Sequence, residues 1–383
     1  MGTLKVNGIR HTGASSDAIS LDSGGTCTAN LTNLVSDRNF IINGDAKISQ
    51  RATAAGSITS GGYYAGDRWY VTMASAGTWT MYQDADVPSG YGFSKSVSMD
   101  VNTANTSLSA SSRAMLSYRL EGHDVQPFCK GTSNAKKFAV SFWVKSGKTG
   151  TYVLELYDHD NSRHICQAYS VSSANTWEQK KLVLDNETSN AFGNDTGKSL
   201  ELQFYLVAGS DYTSGTLATS WAAASNANRA VGQVNVADST SNKFFLTGVQ
   251  LETGDYNSEF EHRSYNDEWL RCARYFYMLA DGSETDGGVA MSQAYSTTQA
   301  HACVRHPVKM RAAPSVYVVE GTNYFKWIGQ GASDLFDDIN SNGYPTTTAS
   351  EIYLSGNLSC TAGAAGWFRT ANSAARIGFN AEL

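Results

Sequence analysis

Charged side chains are scarce in this sequence, at 17% of 383 residues, where an ordinary globular chain carries about 25%. That shortage argues against a helical enzyme, whose surface depends on Glu, Lys and Ala. No basic stripe is present and the formal net charge is −6, so no nucleic-acid partner is expected. No apolar run reaches the roughly eighteen residues of a membrane span, and no membrane insertion is expected. The N-terminal stretch MGTLKVNGIRHTGASSDAISLDSGGTCTAN lacks the apolar centre of a secretory signal. Prolines number five and heptads are missing, which argues against collagen-like and coiled-coil shafts. No internal repeat of about 20–50 residues marks a β-helical spike. The cysteines Cys27, Cys129, Cys166, Cys272, Cys303 and Cys360 lie far apart with no CxxC pair. They read as free buried thiols of a chain that folds in a reducing cytoplasm.

What the sequence does have is Ser, Thr, Asn and Gly, in stretches such as SITSGGYYAG and VNTANTSLSASS that suit turns and exposed strand faces. Between them runs alternation of period two. KFAVSFWVKS places Phe138, Val140, Phe142 and Val144 on one face, and SLELQFYLVAG places Leu200, Leu202, Phe204 and Leu206 inward. TWEQKKLVLD alternates in the same way, and FFLTGVQLE puts Phe245, Thr247, Val249 and Leu251 on one face. Weaker copies run from Val97 to Val101 and from Ala114 to Leu120. Such runs separated by Gly, Asn, Asp and Ser predict an antiparallel sandwich. A short helix is expected in SYNDEWLRCARYFYML, capped by Asn266 or Asp267. Three parts follow: a leader at 1–37 with sparse apolar positions (Leu4, Val6, Ile9, Ile19, Leu21, Leu31, Leu34), a long sandwich at 38–263, and a smaller β domain at 264–383. The last contains the strand-like PSVYVVEG, YFKWIG, SEIYLSG and ARIGFNAEL. The leader cannot bury a core by itself and is expected to order against a partner.

The sandwich opens with RNFIINGDAKISQRAT and YYAGDRWYV and continues through LEGHDVQPF, AVSFWVKSGKTGTYVLEL, TWEQKKLVL and FYLVAGSDY. It runs on into LTGVQLETGDYNSEFEHRSYNDEWLRCARYF, then VKMRAAPSV, and the chain ends in FNAEL. This order of segments resembles a family of phage tail-fibre and virion surface proteins common in marine and cyanobacterial phages. The resemblance covers roughly residues 38–320 and the last few. It implies a jelly-roll domain similar to carbohydrate-binding modules, then a smaller β domain, in a homotrimeric fibre. The fold expected is therefore all-β: a jelly-roll antiparallel β-sandwich followed by a smaller β-sandwich domain, behind an extended N-terminal leader. By the same resemblance the chain is a virion component, assembled in the host cytoplasm. Its leader would join other phage tail or virion proteins, and its body would bind a host cell-surface glycan. A head fibre, decoration or tail-connector protein is one alternative, and a glycan depolymerase another.

Glycan binding needs flat aromatic faces for the apolar side of a sugar, with planar polar groups to orient its hydroxyls. Aromatics near turn-like sequence are Tyr63, Tyr64, Trp69, Trp79, Tyr82 and Tyr91, with Tyr212 and Trp221 flanking a long Ser/Thr/Ala/Asn loop. Tyr64, Trp79, Tyr82, Tyr212 and Trp221 are the candidate carbohydrate-binding platform, whereas Phe142, Trp143 and Phe204 are assigned to the core. In YDHDNSRH, Asp158 and Asp160 stand at alternate positions that suit a hard cation such as calcium. Ordinary turn chemistry is the favoured explanation for them, as for Asp84 and Asp86, and no EF-hand spacing is present. The seven His form no HExxH and no Cys/His ligand set, so no zinc site and no cofactor are expected. No GxSxG elbow, P-loop or dinucleotide fingerprint occurs, and the chain reads as non-enzymatic. Some of the six charges Arg51, Arg68, Glu121, Glu252, Glu261 and Arg263 are expected to form paired, partly buried struts.

Overall fold

The computed structural model describes residues 6–10, 12–13, 17–21, 23, 27–29, 37–283, 286–340 and 343–383. Leu4, Leu31, Leu34 and the side chain of Cys27 lie outside the described residues. In the leader, Gly8–Ile9, Ile19–Leu21 and Cys27–Ala29 form a small antiparallel sheet. Ile9 and Leu21 are exposed on it, as is Val6 just before it.

The fold is all-β, and its main body is a jelly-roll of two facing antiparallel sheets. The six-stranded sheet runs in the order Glu178–Leu184, Phe138–Ser146, Lys243–Thr253, Ser96–Thr103, Thr78–Asp84, Ala54–Ile58. The seven-stranded sheet runs Ala222–Ala223, Arg163–Val171, Gly150–Asp158, Lys198–Ala208, Arg113–Glu121, Trp69–Ala74, Gly62–Tyr63. The core between them takes alternate residues of each strand, as the period-two pattern requires. Phe138, Val140, Phe142 and Val144 meet Leu200, Leu202, Phe204 and Leu206 there.

One strand departs from strict alternation. Phe244 and Leu246 enter the core, but so do Val249 and Leu251. The register against Phe138–Ser146 shifts between Ser141 and Trp143, and Gly248 lies opposite that shift with φ +60°. A bulge inserts one residue and reverses the side-chain parity beyond it. The expected single face of Phe245, Thr247, Val249 and Leu251 is thus split, leaving Phe245 and Thr247 on the outer side.

The polar side of Lys198–Ala208 also differs from a solvated face, because Glu201, Gln203 and Tyr205 are buried. The segment 209–238 folds over it, and Tyr205, Met115, Val153, Tyr212 and Ala230 form a small second core beneath. Arg229 from that segment reaches down to hydrogen-bond Glu155 and Gln203.

The helix Tyr265–Ala273 follows, capped by Ser264, whose side chain accepts from Asp267 N. Ser264, one turn before Glu268, displaces Asn266 and Asp267 as the cap because it is the last extended residue. Beyond the helix, Phe276–Ala280, Arg376–Asn380 and Ser315–Val319 form one sheet. A seven-stranded sheet runs Ala332–Phe336, Phe325–Gly329, Ala365–Thr370, Gly288–Ala294, Ala300–Arg305, Ala349–Ser355, Asp338–Asn340. Phe325, Trp327, Ile352, Phe368, Ile377 and Phe379 fill a separate core between these two sheets.

Five of the six charges expected as struts, all but Glu252, form ion pairs among the described residues, and several lie where the two bodies meet. Arg68, 1% exposed, pairs with Glu382 near the end of the chain. Its guanidinium lies 3.4 Å from the centre of the Tyr275 ring and donates to Arg119 O at 2.6 Å. Arg51 adds a second contact to Glu382 at 3.5 Å and sits 3.6 Å over Phe276. Arg311 donates to Ala381 O, Glu382 O and Thr196 O. Glu121 grips Arg274 through two bonds of 2.9 and 2.8 Å. Glu261 pairs with Arg263, and Glu252 accepts from Ser258 N and Oγ. Burial works against the Arg68 cation, yet Glu382 and the surrounding phenols hold its pKa well above the ordinary value.

Arg119 links this seam to Glu201, which also accepts from His159 at 2.7 Å and meets Lys198 at 3.3 Å. Burial opposes ionisation of Glu201, but His159, Arg119 and Lys198 together hold its carboxyl far below the usual range. A depressed folded-state pKa contributes stability that is fully present above the unfolded value, about 4.3, and is lost as pH falls. The difference in unfolding free energy between the native chain and Glu201→Gln is therefore expected to be largest above about pH 5 and to narrow on acidification. Denaturant titrations across that range check it; a difference independent of pH would contradict the assignment.

Candidate functional site

The outer face of the six-stranded sheet carries an aromatic groove. Trp143 points outward because its neighbours Phe142 and Val144 occupy the core. The loop after Thr78–Asp84 brings Tyr91 against it, with ring centres 4.3 Å apart and planes tilted by 49°. Tyr91 is 52% exposed and Trp143 9%, so one offers an open face and the other a firm backing. Gln179 and Lys181 project from the neighbouring strand, and Glu259, Phe260 and His262 close the opposite side. The groove encloses about 390 Å³.

Its wall is fixed by local sequence. Phe93 packs edge-on against Phe260 at 5.1 Å, and His262 lies 5.2 Å from the Phe93 ring. The His262 ring Nε2 hydrogen-bonds Tyr91 O at 3.1 Å. Gly248 makes this possible: a Cβ there would lie 2.5 Å from the Phe93 ring. Gly248→Ala is expected to cost about 1–3 kcal/mol, from left-handed strain and the displaced ring. Denaturant unfolding measures it, and unchanged stability would contradict the close packing of Phe93 on the bulge.

Beside the groove, Asp86 pairs with Lys145 and accepts from Trp177 Nε1 at 2.9 Å. Burial opposes ionisation of Asp86, but these two hydrogen bonds outweigh it and lower its pKa. Lys145 also lies 4.4 Å over the Phe245 ring. The pair thus fixes a flank of the groove.

The five platform candidates are not brought together. Trp79 is fully buried in the sandwich core, with Nε1 donating to Ala76 O at 2.8 Å. It follows a turn but is already the second residue of its strand, on the inward side. Tyr212 is 3% exposed beneath the covering segment, its hydroxyl taken by Arg113. Neither offers a face to a ligand, and both are corrected to structural roles. Tyr64 is half-buried and donates to Ser60 O at 3.1 Å. Trp221 lies 5.6 Å from Phe138, donates to Asp185 O and is covered by Lys130 Nζ at 4.8 Å. Tyr82 alone shares the outer face of Trp143, three strands away, or about 14 Å. Trp143, assigned to the core from sequence, and Gln179, Lys181, Glu259, Phe260 and His262 are groove residues that sequence reasoning missed.

The calcium candidates are likewise accounted for. Asp158 is fully buried, pairs with Lys130 at 2.7 Å and accepts from Asp160 N and Asn161 N. Lys130 already supplies the cation a metal would bring. The bonds from Asp160 N and Asn161 N to Asp158 are turn chemistry, and Asp160 itself accepts from Gly193 N of a distant loop at 2.7 Å.

Glu155, His164 and Cys166 form a buried cluster of metal-ligand type, which the scattered sequence positions did not suggest. The cross-strand register of Gly150–Asp158 and Arg163–Val171 brings them together. Glu155 accepts from His164 at 2.8 Å, from Tyr205 at 3.1 Å and from Arg229 through both oxygens. Burial and the nearby Glu155 carboxylate push the Cys166 thiol pKa up, so it stays protonated. With Arg229 seated on the carboxylate, a second cation would be repelled, and the cluster holds down the covering segment. The thiols are less uniformly buried than expected: Cys166 and Cys272 are buried, Cys129 and Cys360 half-buried, and Cys303 exposed.

No family model matches this sequence. No curated protein matches it. Among solved structures, the chain is similar to the enzymatically active domain of bacteriophage CBA120 tailspike protein 4, at 14% identity over 56% of this chain and a TM-score of 0.30. This chain spans 21% of that protein's length. It is also similar to TmCBM61 in complex with β-1,4-galactotriose, at 10% identity over 57% of this chain and 99% of that one, with a TM-score of 0.28. A family 11 carbohydrate-binding module from Clostridium thermocellum is similar at 12% identity over 55% of this chain and 98% of that one, with a TM-score of 0.25.

Proposed function

We propose that the chain is a non-enzymatic attachment subunit of a phage tail fibre that binds a host cell-surface glycan in the Tyr91–Trp143 groove. The observation that carries this reading is the half-exposed Tyr91 ring backed by Trp143 beside planar polar side chains. A sugar's apolar face packs on the ring while the Gln179 amide, Lys181 and His262 orient its hydroxyls. Glu259 is the one carboxylate lining the groove, whereas hydrolysis of a glycosidic bond requires two. Binding without cleavage is the chemistry this favours.

A homotrimer is part of the proposal. The leader exposes Val6 and, on its small sheet, Ile9 and Leu21, apolar groups that a second and third copy would cover. Three weak sites per fibre then gain avidity without any new contact. The experiment is a glycan array probed with the purified chain, followed by a reducing-end assay on each polysaccharide bound. Binding without release of reducing ends is expected. Release would overturn the non-enzymatic reading, and no binding at all would overturn the glycan.

A further inference from the structure

The C-terminal β domain carries a second aromatic pocket, about 430 Å³ in volume, on the outer face of its seven-stranded sheet. Register brings it together: His301 lies directly opposite Gln293 on one side and Tyr353 on the other, and Cys303 lies opposite Glu351. The rings form a parallel stack. Tyr295 lies 4.8 Å from His301 at 15°, and His301 lies 4.2 Å from Tyr353 at 22°. Tyr295 sits on a tight hairpin turn, its N–H bonded to Gln299 O at 2.9 Å, and is 73% exposed.

Glu351 Oε1 meets His301 Nδ1 at 2.9 Å, which fixes the imidazole between the two phenol rings. Its second oxygen accepts no hydrogen bond among the described residues and, with the Gln293 amide, faces the pocket's polar side. Burial, together with the charges of Glu351, Tyr344 and Tyr295, raises the Tyr353 pKa. An apolar strip continues across adjacent strands, from Ile328 to Trp367 to Met291. Trp367 is 51% and Met291 58% exposed.

We propose that this pocket is a second carbohydrate subsite, taking a neutral oligosaccharide that stacks on Tyr295 and hydrogen-bonds Glu351 and Gln293. It rests on the glycan-binding reading of the chain but not on the Tyr91 groove. An exposed aromatic face with an open carboxylate oxygen and an amide fits sugar hydroxyls, which donate to both. The Glu351 charge selects against uronic acids and other acidic sugars. The strip toward Trp367 gives room for more than one residue of a linear chain.

Cys303 reports on this pocket directly, because it is exposed and lines it. The full chain is alkylated with a maleimide in the presence of cello-, galacto- or chito-oligosaccharides, and Cys303 labelling is followed by peptide mass mapping. At least one of the three is expected to slow Cys303 labelling, by about tenfold at a concentration ten times its Kd. Tyr295→Ala is expected to remove that protection, while Tyr91→Ala leaves it intact. No protection by any of the three, equal protection by oligogalacturonate, or protection that survives Tyr295→Ala overturns the subsite. Loss of protection in Tyr91→Ala also overturns it, by making Cys303 respond to the first groove. Array binding that disappears in Tyr91→Ala while Cys303 stays unprotected would sink the subsite and leave the first groove standing.

Discussion

Tyr91→Ala is expected to weaken glycan binding by about 30-fold in Kd, the roughly 2 kcal/mol that a central aromatic contact contributes. Tyr91 is 52% exposed on a loop, so its loss leaves the sandwich folded, and stability should change by less than about 0.5 kcal/mol. That separation matters, because Trp143 beneath it is 9% exposed and its truncation would disturb packing as well as binding. Tyr91→Phe should retain most of the affinity, since the ring rather than the hydroxyl supplies the face. Titration calorimetry with the tightest array glycan measures all three proteins. Equal affinities for Tyr91→Ala and the native chain would place the glycan elsewhere.

The largest stability effect is expected at Glu382. Glu382→Ala removes the carboxylate that Arg68 and Arg51 share, leaving a fully buried guanidinium with no counter-charge. Breaking one side of a buried pair costs about 3–5 kcal/mol, more than a hydrophobic swap of both partners. The ring faces of Tyr275 and Phe276 soften that loss without replacing the charge. Arg68→Met combined with Glu382→Leu is expected to recover much of it. Urea denaturation of Arg68→Met, Glu382→Leu and the double variant forms a cycle whose coupling measures the pair. A single-variant loss below about 1 kcal/mol would mean the seam does not depend on this ion pair.

The strands of the main sandwich were legible because their inward positions are large and apolar at period two, as in Phe138, Val140, Phe142 and Val144. The bulge at Gly248 was not, since parity reversal depends on which partner strand lies alongside. Strands such as Ala300–Arg305 and Ala365–Thr370 escaped notice because AHACVR and AGWFRT bury small or isolated apolar groups. Their partners supply the rest of the core.

The site was harder. In FAVSFWV both faces are largely apolar, so Trp143 could not be told from its core neighbours until the second sheet was in place. Tyr91 showed as a turn aromatic, but its partner Trp143 is far along the chain, and Phe260 and His262 fold back from beyond the last sandwich strand. Trp79 and Tyr212 failed in the opposite sense. Each adjoins turn-rich sequence, yet a strand that starts at Thr78 and a covering segment held by Arg229 bury them. Proximity to a turn in sequence says little about which way a ring points.

The most direct test of the central claim is a crystal structure of the chain with its tightest array glycan bound. The account predicts a sugar ring lying on Tyr91 against Trp143, with hydroxyls within hydrogen-bond distance of Gln179, Lys181 or His262. A glycan seated away from this face, for example beside Tyr64 or Trp221, with the Tyr91 groove empty, would contradict it.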